Sequence, residues 1–228
     1  MSTVKQLLST QQLAPVPSVR ASTRRRRKQQ RPGEIIEAAL QEFARRGFAA
    51  TRLEDVAELA GVTKGTIYFY FKDKEELFKA AARTSLEPAL SEIEALAAHL
   101  EGSAEELLCA RLSGMYNEMV KNPRVVQILR LLIAEGAQFP ELVEFYYREV
   151  VSHGMNILSR IVERGVSRNE FRRSRVAEFP QLIFGPVLAA MIWSLLFAAR
   201  HPIDFDEYGR AHLDLMLNGL KALKPNRS

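Results

Sequence analysis

The sequence is short of the residues that build covalent or metal-held frameworks. Cys109 is its single cysteine, so no disulfide can form within the chain and no thiol cluster is available for zinc. That poverty fits a reducing, cytoplasmic setting. The four histidines, His99, His153, His201 and His212, include no pair at metal-binding helical spacing, and neither a metal nor any other cofactor is expected. A glycine-rich phosphate cradle and a nucleophile elbow are both missing, which argues against an enzyme. Glu135 and Glu163 read as isolated carboxylates on polar helix faces. The opening "VKQLLSTQQLAPVPSVR" is interrupted by Lys5, glutamines and two prolines, and predicts no export signal. Charge is absent from one long run, Gln181 to Ala199, whose nineteen residues are just enough to span hydrocarbon. Gly185 and Pro186 inside it favour a buried helix of an oligomer over a membrane span.

What is present is helical. No strand-like alternation persists anywhere, and a hydrophobic content of 47% is ample for a core. Charge is unevenly placed. Residues 21–83 carry fourteen basic and nine acidic side chains, whereas residues 84–228 carry sixteen basic and eighteen acidic. The positive excess therefore lies in the first third, where a polyanion can be met by counterion release. Within it, "STRRRRKQQRPGE" sets Arg24, Arg25, Arg26 and Arg27 side by side. Residues 1–30, rich in Gln, Ser, Pro and Arg, read as a flexible basic arm.

From Pro32 onward the apolar residues Ile35, Ile36, Ala39, Leu40 and Phe43 recur at the spacing of one buried helix face, with Gly47 at the exit. "TRLEDVAELAG" follows as a second helix, with Thr51 and Glu54 at capping-box spacing and Gly61 at its end. A third, "TKGTIYFYF", begins three residues later with Thr63 as N-cap. Two short helices joined by a tight glycine-containing turn make a helix-turn-helix. Asp73 and Glu76 open a fourth helix, which Pro88 should kink. Further starts are predicted at Ser103, at Asn122–Pro123, at Pro140 with a long run to about Gly165, at Ser174 or Pro180, and after Asp206. The expectation is an all-α chain of about nine helices. It divides into the arm 1–30, a three-helix domain 31–78 containing the helix-turn-helix, and a larger helical domain 79–228.

A helix-turn-helix lays its second helix in the major groove, where side chains near the N-terminus reach base edges. Thr63, Lys64, Gly65, Thr66 and Tyr68 hold those positions, and Tyr70, Lys72 and Lys74 follow where phosphates would lie. Thr51 stands at another helix N-terminus, which favours an anion. At these residues the stretch "GFAATRLEDVAELAGVTKGTIYFYFKDKEELF", Gly47 to Phe78, resembles the DNA-binding domain of the tetracycline-repressor (TetR) family of bacterial regulators. The resemblance rests on Phe43, Gly47, Thr51, Val56, Ala57, Ala60, Gly61, Val62, Thr63, Thr66, Tyr68, Tyr70, Phe71, Lys74 and Leu77. It implies a homodimer reading a palindromic operator in double-stranded DNA, and a helical C-terminal domain whose small-molecule effector changes the spacing of the two heads. By position it makes Thr51, Thr63, Lys64, Thr66, Tyr68, Tyr70 and Lys74 the DNA-contacting residues, and Phe69 departs from the polar or histidine residue the family often has there. Phe71 is assigned to the core.

The last two helices are the expected dimer interface, because a helix as apolar as Gln181 to Ala199 needs cover on several sides. For an apolar or amphipathic ligand the candidates are Met115, Tyr116, Met119, Phe139, Tyr146, Phe184 and Trp193, with His153 and Arg130 as polar anchors. The expected function is a ligand-responsive repressor. The competing readings are a membrane-surface protein anchored by the basic arm and an enzyme of the helical domain acting on a lipid-like substrate. The arm generates a first prediction. Changing Arg24 to Arg27 to alanine weakens binding to every duplex sequence and flattens the salt dependence by about one unit for each phosphate no longer held, in a mobility-shift series over salt. Loss of sequence preference at unchanged nonspecific affinity would contradict it.

Overall fold

The computed structural model describes residues 19–98 and 102–221, with the side chains of 19–29 and of several residues between 89 and 98 left aside. Among the described residues the chain is all-α, apart from one isolated antiparallel bridge between Phe171 and Lys221. The order is α1 (Val19–Ala50), α2 (Leu53–Leu59), α3 (Lys64–Tyr70), α4 (Lys74–Ala98), α5 (Ala104–Met115), α6 (Pro123–Glu135), α7 (Pro140–Tyr146), α8 (Ser152–Ser167), α9 (Gln181–Leu196) and α10 (Phe205–Leu220). A π turn, Tyr147–Val151, runs α7 into α8, so these two form one rod and nine rods result among the described residues. A second π turn, Tyr116–Val120, extends α5.

Several starts lie where local chemistry predicts. Ser103 and Glu106 form a reciprocal capping box on α5. The Asn122 side chain accepts from the Arg124 amide at 3.1 Å, with Pro123 at the first helical position of α6. Asp73 accepts from the Glu76 amide at 2.8 Å. Other expectations need correction. α1 begins at Val19, so residues 19–30, expected in the flexible arm, have a helical backbone; good helix formers fill that stretch and nothing before Pro32 breaks it. The side chains of Arg24, Arg25, Arg26 and Arg27 fall outside the described residues, as do residues 1–18. α2 is capped at Arg52 and not at Thr51. The cap of α10 is Asp204, which accepts from the amides of Asp206 and Glu207. Pro88 lies within a continuous α4, which also runs across the expected domain boundary at residue 78.

Three phenylalanines knit the head to the body. Phe43 and Phe48 from α1 and Phe78 from α4 have ring centroids 5.7 Å apart pairwise, and Phe139, just before α7, caps Phe48 at 4.8 Å. At the opposite end, the loop after α8 is tied to the end of α10 by Arg172 N donating to Leu220 O at 2.8 Å. There a Cβ on Gly165 would overlap the buried Phe171 ring. Gly165→Ala, which in a free helix gains about 1 kcal/mol, should here destabilise by about 1–3 kcal/mol as the ring is displaced. Urea denaturation reads the sign directly.

Candidate nucleic-acid interface

The outward face of α3 is built from its own first turn. Thr63 Oγ1 accepts from the Thr66 amide at 3.2 Å and lies 2.9 Å from Thr66 Oγ1, so one residue both starts the helix and orders a second hydroxyl. Ile67 and Phe71 turn inward and are buried, which anchors a helix of only seven residues through tertiary packing. Opposite them Thr63, Lys64, Gly65, Tyr68 and Phe69 are exposed, with Thr66 and Tyr70 at the margin. Lys64 Nζ sits 2.5 Å from Glu54 Oε1 of α2 and 5.6 Å from the Tyr68 ring centroid. Hydrogen bonding to Glu54 raises the lysine's pKa, and the same bond lowers that of the carboxyl. Lys72 is exposed at the α3–α4 turn.

Of the residues singled out by sequence, Thr63, Lys64, Gly65, Tyr68 and Lys72 are exposed and Thr66 and Tyr70 half-buried, on α3 or beside it. Two other residues face elsewhere. Thr51 is buried, and its hydroxyl donates to Gly47 O at 2.6 Å and lies 3.2 Å from Glu42 O. The Lys74 ammonium donates to the carbonyls of Phe48 (2.7 Å), Ala49 (3.1 Å) and Thr51 (3.1 Å) and lies over the Phe48 ring. Three acceptors use all three of its donors. Burial lowers its pKa against the opposing pull of Glu135. Phe69 joins the face although family position argues against it: on the same side as Tyr68, it is 69% exposed with its ring 4.9 Å from that of Tyr70. An exposed phenylalanine at a helix-turn-helix surface is the readable signal.

Glu135 is no solvated carboxylate. From the end of α6 it accepts the amides of Phe48 at 2.8 Å and Ala49 at 2.6 Å, the chain just leaving α1. Gly47 makes this approach possible, since its φ of +83° disfavours a side chain and a Cβ there would overlap Glu135 Oε1. Arg130 of α6, a candidate polar anchor, adds a bond to Ala44 O at 2.9 Å in this joint.

The seven ligand candidates do not share a site. Met115, Met119 and Phe184 line a cavity of about 20 Å³ with Arg111, Val150, Val151, Gly154 and Met155. Tyr116 lines a different cavity with Phe205 and Gly209, and its hydroxyl is 3.1 Å from His212 Nδ1. Tyr146 is buried in the core, which pushes its pKa to about 12. Phe139 packs on Phe48, and the Trp193 indole, partly exposed, donates to His201 O at 2.8 Å. His153 is exposed. Helical spacing selects apolar residues without telling which helix faces they share.

Two family models match the chain: "Bacterial regulatory proteins, tetR family" over residues 35–81 and "Tetracyclin repressor-like, C-terminal domain" over residues 99–204. Among curated relatives, the HTH-type transcriptional regulator TtgR of Pseudomonas putida is 41% identical over 106 residues, 46% of this chain and 50% of TtgR. The chain thus spans about half the length of that relative. The fatty acid metabolism regulator protein of Bacillus subtilis (strain 168) is 29% identical over 169 residues, 70% of this chain and 82% of that protein. The solved structure of the transcriptional regulator FadR from Bacillus subtilis in complex with stearoyl-CoA superposes with a TM-score of 0.64 at 22% identity, over 82% of this chain and 97% of that one.

The joint yields a prediction. Glu135→Ala leaves two amides and a partly buried ammonium without their carboxylate, and should cost about 1–3 kcal/mol. Hydrogen exchange at Phe48 and Ala49 should accelerate in the same variant, and unchanged exchange there would refute the clamp.

Proposed function

The chain belongs to the TetR family of bacterial regulatory proteins, and we propose that it is a cytoplasmic, ligand-responsive transcriptional repressor that binds a palindromic operator as a homodimer. The observation that carries this reading is the exposed face of α3, on which hydroxyls, a lysine and aromatic rings surround the glycine Gly65. Laid in the major groove, Thr63, Lys64 and Thr66 meet base edges and phosphate, Gly65 admits the backbone closely, and Tyr68, Phe69 and Tyr70 make apolar and sugar contacts. Lys64 leaves Glu54 for phosphate, an exchange of one exposed ion pair for another. Lys72 grips the backbone beside it, and the arm carrying Arg24 to Arg27 adds sequence-independent affinity.

The dimer forms through α9 and α10. Leu182, Leu196 and Leu215 are each at least 60% exposed, and the rings of Trp193 and Phe197 meet at a tilt with centroids 5.0 Å apart at the end of α9. So many large apolar side chains on the last two helices suit a self-complementary twofold contact. No helix of the described residues is long and apolar enough to cross a membrane, which leaves α9 to protein cover. The effector is a small apolar or amphipathic molecule that opens the body cavity at Met115, Met119 and Phe184. The relative solved with stearoyl-CoA supports an amphipathic class. Effector and operator favour different head separations, and each weakens the other by the same factor. The mechanism is binding without turnover, in keeping with a family of regulators.

A mobility-shift titration against palindromic and random duplexes tests the core of it, with preference for a palindrome expected. Leu196→Asp combined with Leu215→Asp should yield monomers in sedimentation and lower operator affinity on the order of a hundredfold, as two linked half-site contacts become one. Undiminished binding by a monomer would remove the dimer from the mechanism.

A further inference from the structure

Where head meets body, α1, α4 and α6 enclose a cleft of about 190 Å³. It is separate from the cavity at Met115 and Met119 and far larger. Its floor is apolar and buried, made by Phe43, Phe78, Ala81, Ala82, Ile128 and Leu131. Protein interiors are close-packed, and a gap of this size deprives its lining of contacts that a guest would restore. Apolar cavities of roughly 150 Å³ hold benzene, so this one fits a molecule of one or two rings.

The mouth is polar. Glu37 and Arg124 are paired across it at 2.9 Å, each side chain about half exposed, and Gln41 and Gln127 add carboxamides. With its charges already matched, the rim favours a neutral guest over an ion of either sign. Carboxamide oxygens and the Glu37 carboxylate offer acceptors to a donor on the guest's edge.

The cleft also has a telling position. Along α1 the positions Glu37, Ala44 and Phe48 meet, in the same order, Arg124, Arg130 and Glu135 along α6, so the two helices run in the same direction. Three connections join the two helices: Glu37 to Arg124, Ala44 O to Arg130, and the Phe48 and Ala49 amides to Glu135. The cleft opens between the first and the last of them.

We propose that this cleft is a second small-molecule site, taking a neutral, planar, mostly apolar molecule of one or two rings with an N–H or O–H on its edge. The site goes beyond the repressor reading, because its occupancy needs no DNA. The test uses the full chain without DNA, with Ile, Leu and Met methyls labelled for NMR and indole as the probe. Indole should shift the methyls of Ile128 and Leu131 saturably and leave those of Met115 and Met119 in place. Indene, the same shape without the N–H, should bind about fivefold more weakly, the loss of one hydrogen bond. Ala44→Leu, which fills the cleft, should weaken indole at least about tenfold. Gln127→Leu, which keeps the cavity and removes one rim acceptor, should weaken indole while leaving indene unchanged or tighter. Shifts confined to Met115 and Met119, no saturable shift at Ile128 and Leu131, or equal binding of indole and indene would each overturn the proposal. A failure of operator binding would touch none of these readouts.

Discussion

Two side chains of opposite charge hold one short piece of backbone, and the placement of the head depends on them. Glu135 takes the N–H groups of Phe48 and Ala49, while Lys74 takes the carbonyls of Phe48, Ala49 and Thr51. Charge-assisted bonds of this kind are roughly twice as strong as neutral ones, and here five of them converge on the exit from α1. Thr51 contributes a sixth from within the segment, to Gly47 O. The direction in which α2 leaves is thereby set, and α3 follows it through the tight turn at Gly61. Since Glu135 ends α6, the body has a direct hold on the orientation of the recognition helix.

The exposed face of α3 is made of hydroxyls and rings and has little free charge. Lys74 is committed to carbonyls, and Lys64 is held by Glu54. In the proposed reading, charge for a polyanion comes from Lys72, from the arginines near the start of α1, and from Lys64 once it leaves Glu54. Shape and hydrogen bonding are then left to Thr63, Thr66, Tyr68 and Phe69. In the proposed reading, positioning by charge and reading by shape thus fall largely to different parts of the chain.

Structure is legible in the sequence where the physics is local. Ser103 with Glu106, Asn122 with Pro123, and Thr63 with Thr66 each satisfy a helix end from three residues away or fewer, so their spacing is their structure. Thr51 has the same spacing to Glu54 and yet does not cap: the helix starts one residue later, with Arg52 at the N-cap position, and the buried Thr51 hydroxyl donates back to Gly47 O. Glu135 is illegible for a different reason: its partners are 86 and 87 residues away, and a lone carboxylate near a helix end looks solvated until the fold places amides before it. Lys74 matches a family position and a basic surface equally well, and only the tertiary position of three carbonyls decides its direction. The body is least legible. Apolar periodicity names the buried faces, but the π turns at Tyr116–Val120 and Tyr147–Val151 each insert an extra residue and so rotate the helix faces beyond them.

Those two turns bear on how a signal would leave the body. Met119 belongs to one and Val150 and Val151 to the other, and all three border the small cavity. A guest that enlarges this cavity must therefore displace segments that already carry one residue more than an α-turn. The π turn after α5 also leads, through only Lys121 and Asn122, into α6. Close-packed helices respond to such displacement by small rigid shifts and do not deform continuously. A shift of α6 cannot leave Glu135 where it is, and a carboxylate bound to amides at 2.8 and 2.6 Å has little slack before those bonds weaken. In the proposed mechanism the route from body to head is one helix long, and by linkage it runs equally in reverse: a head fixed on DNA resists the shift that would open the cavity.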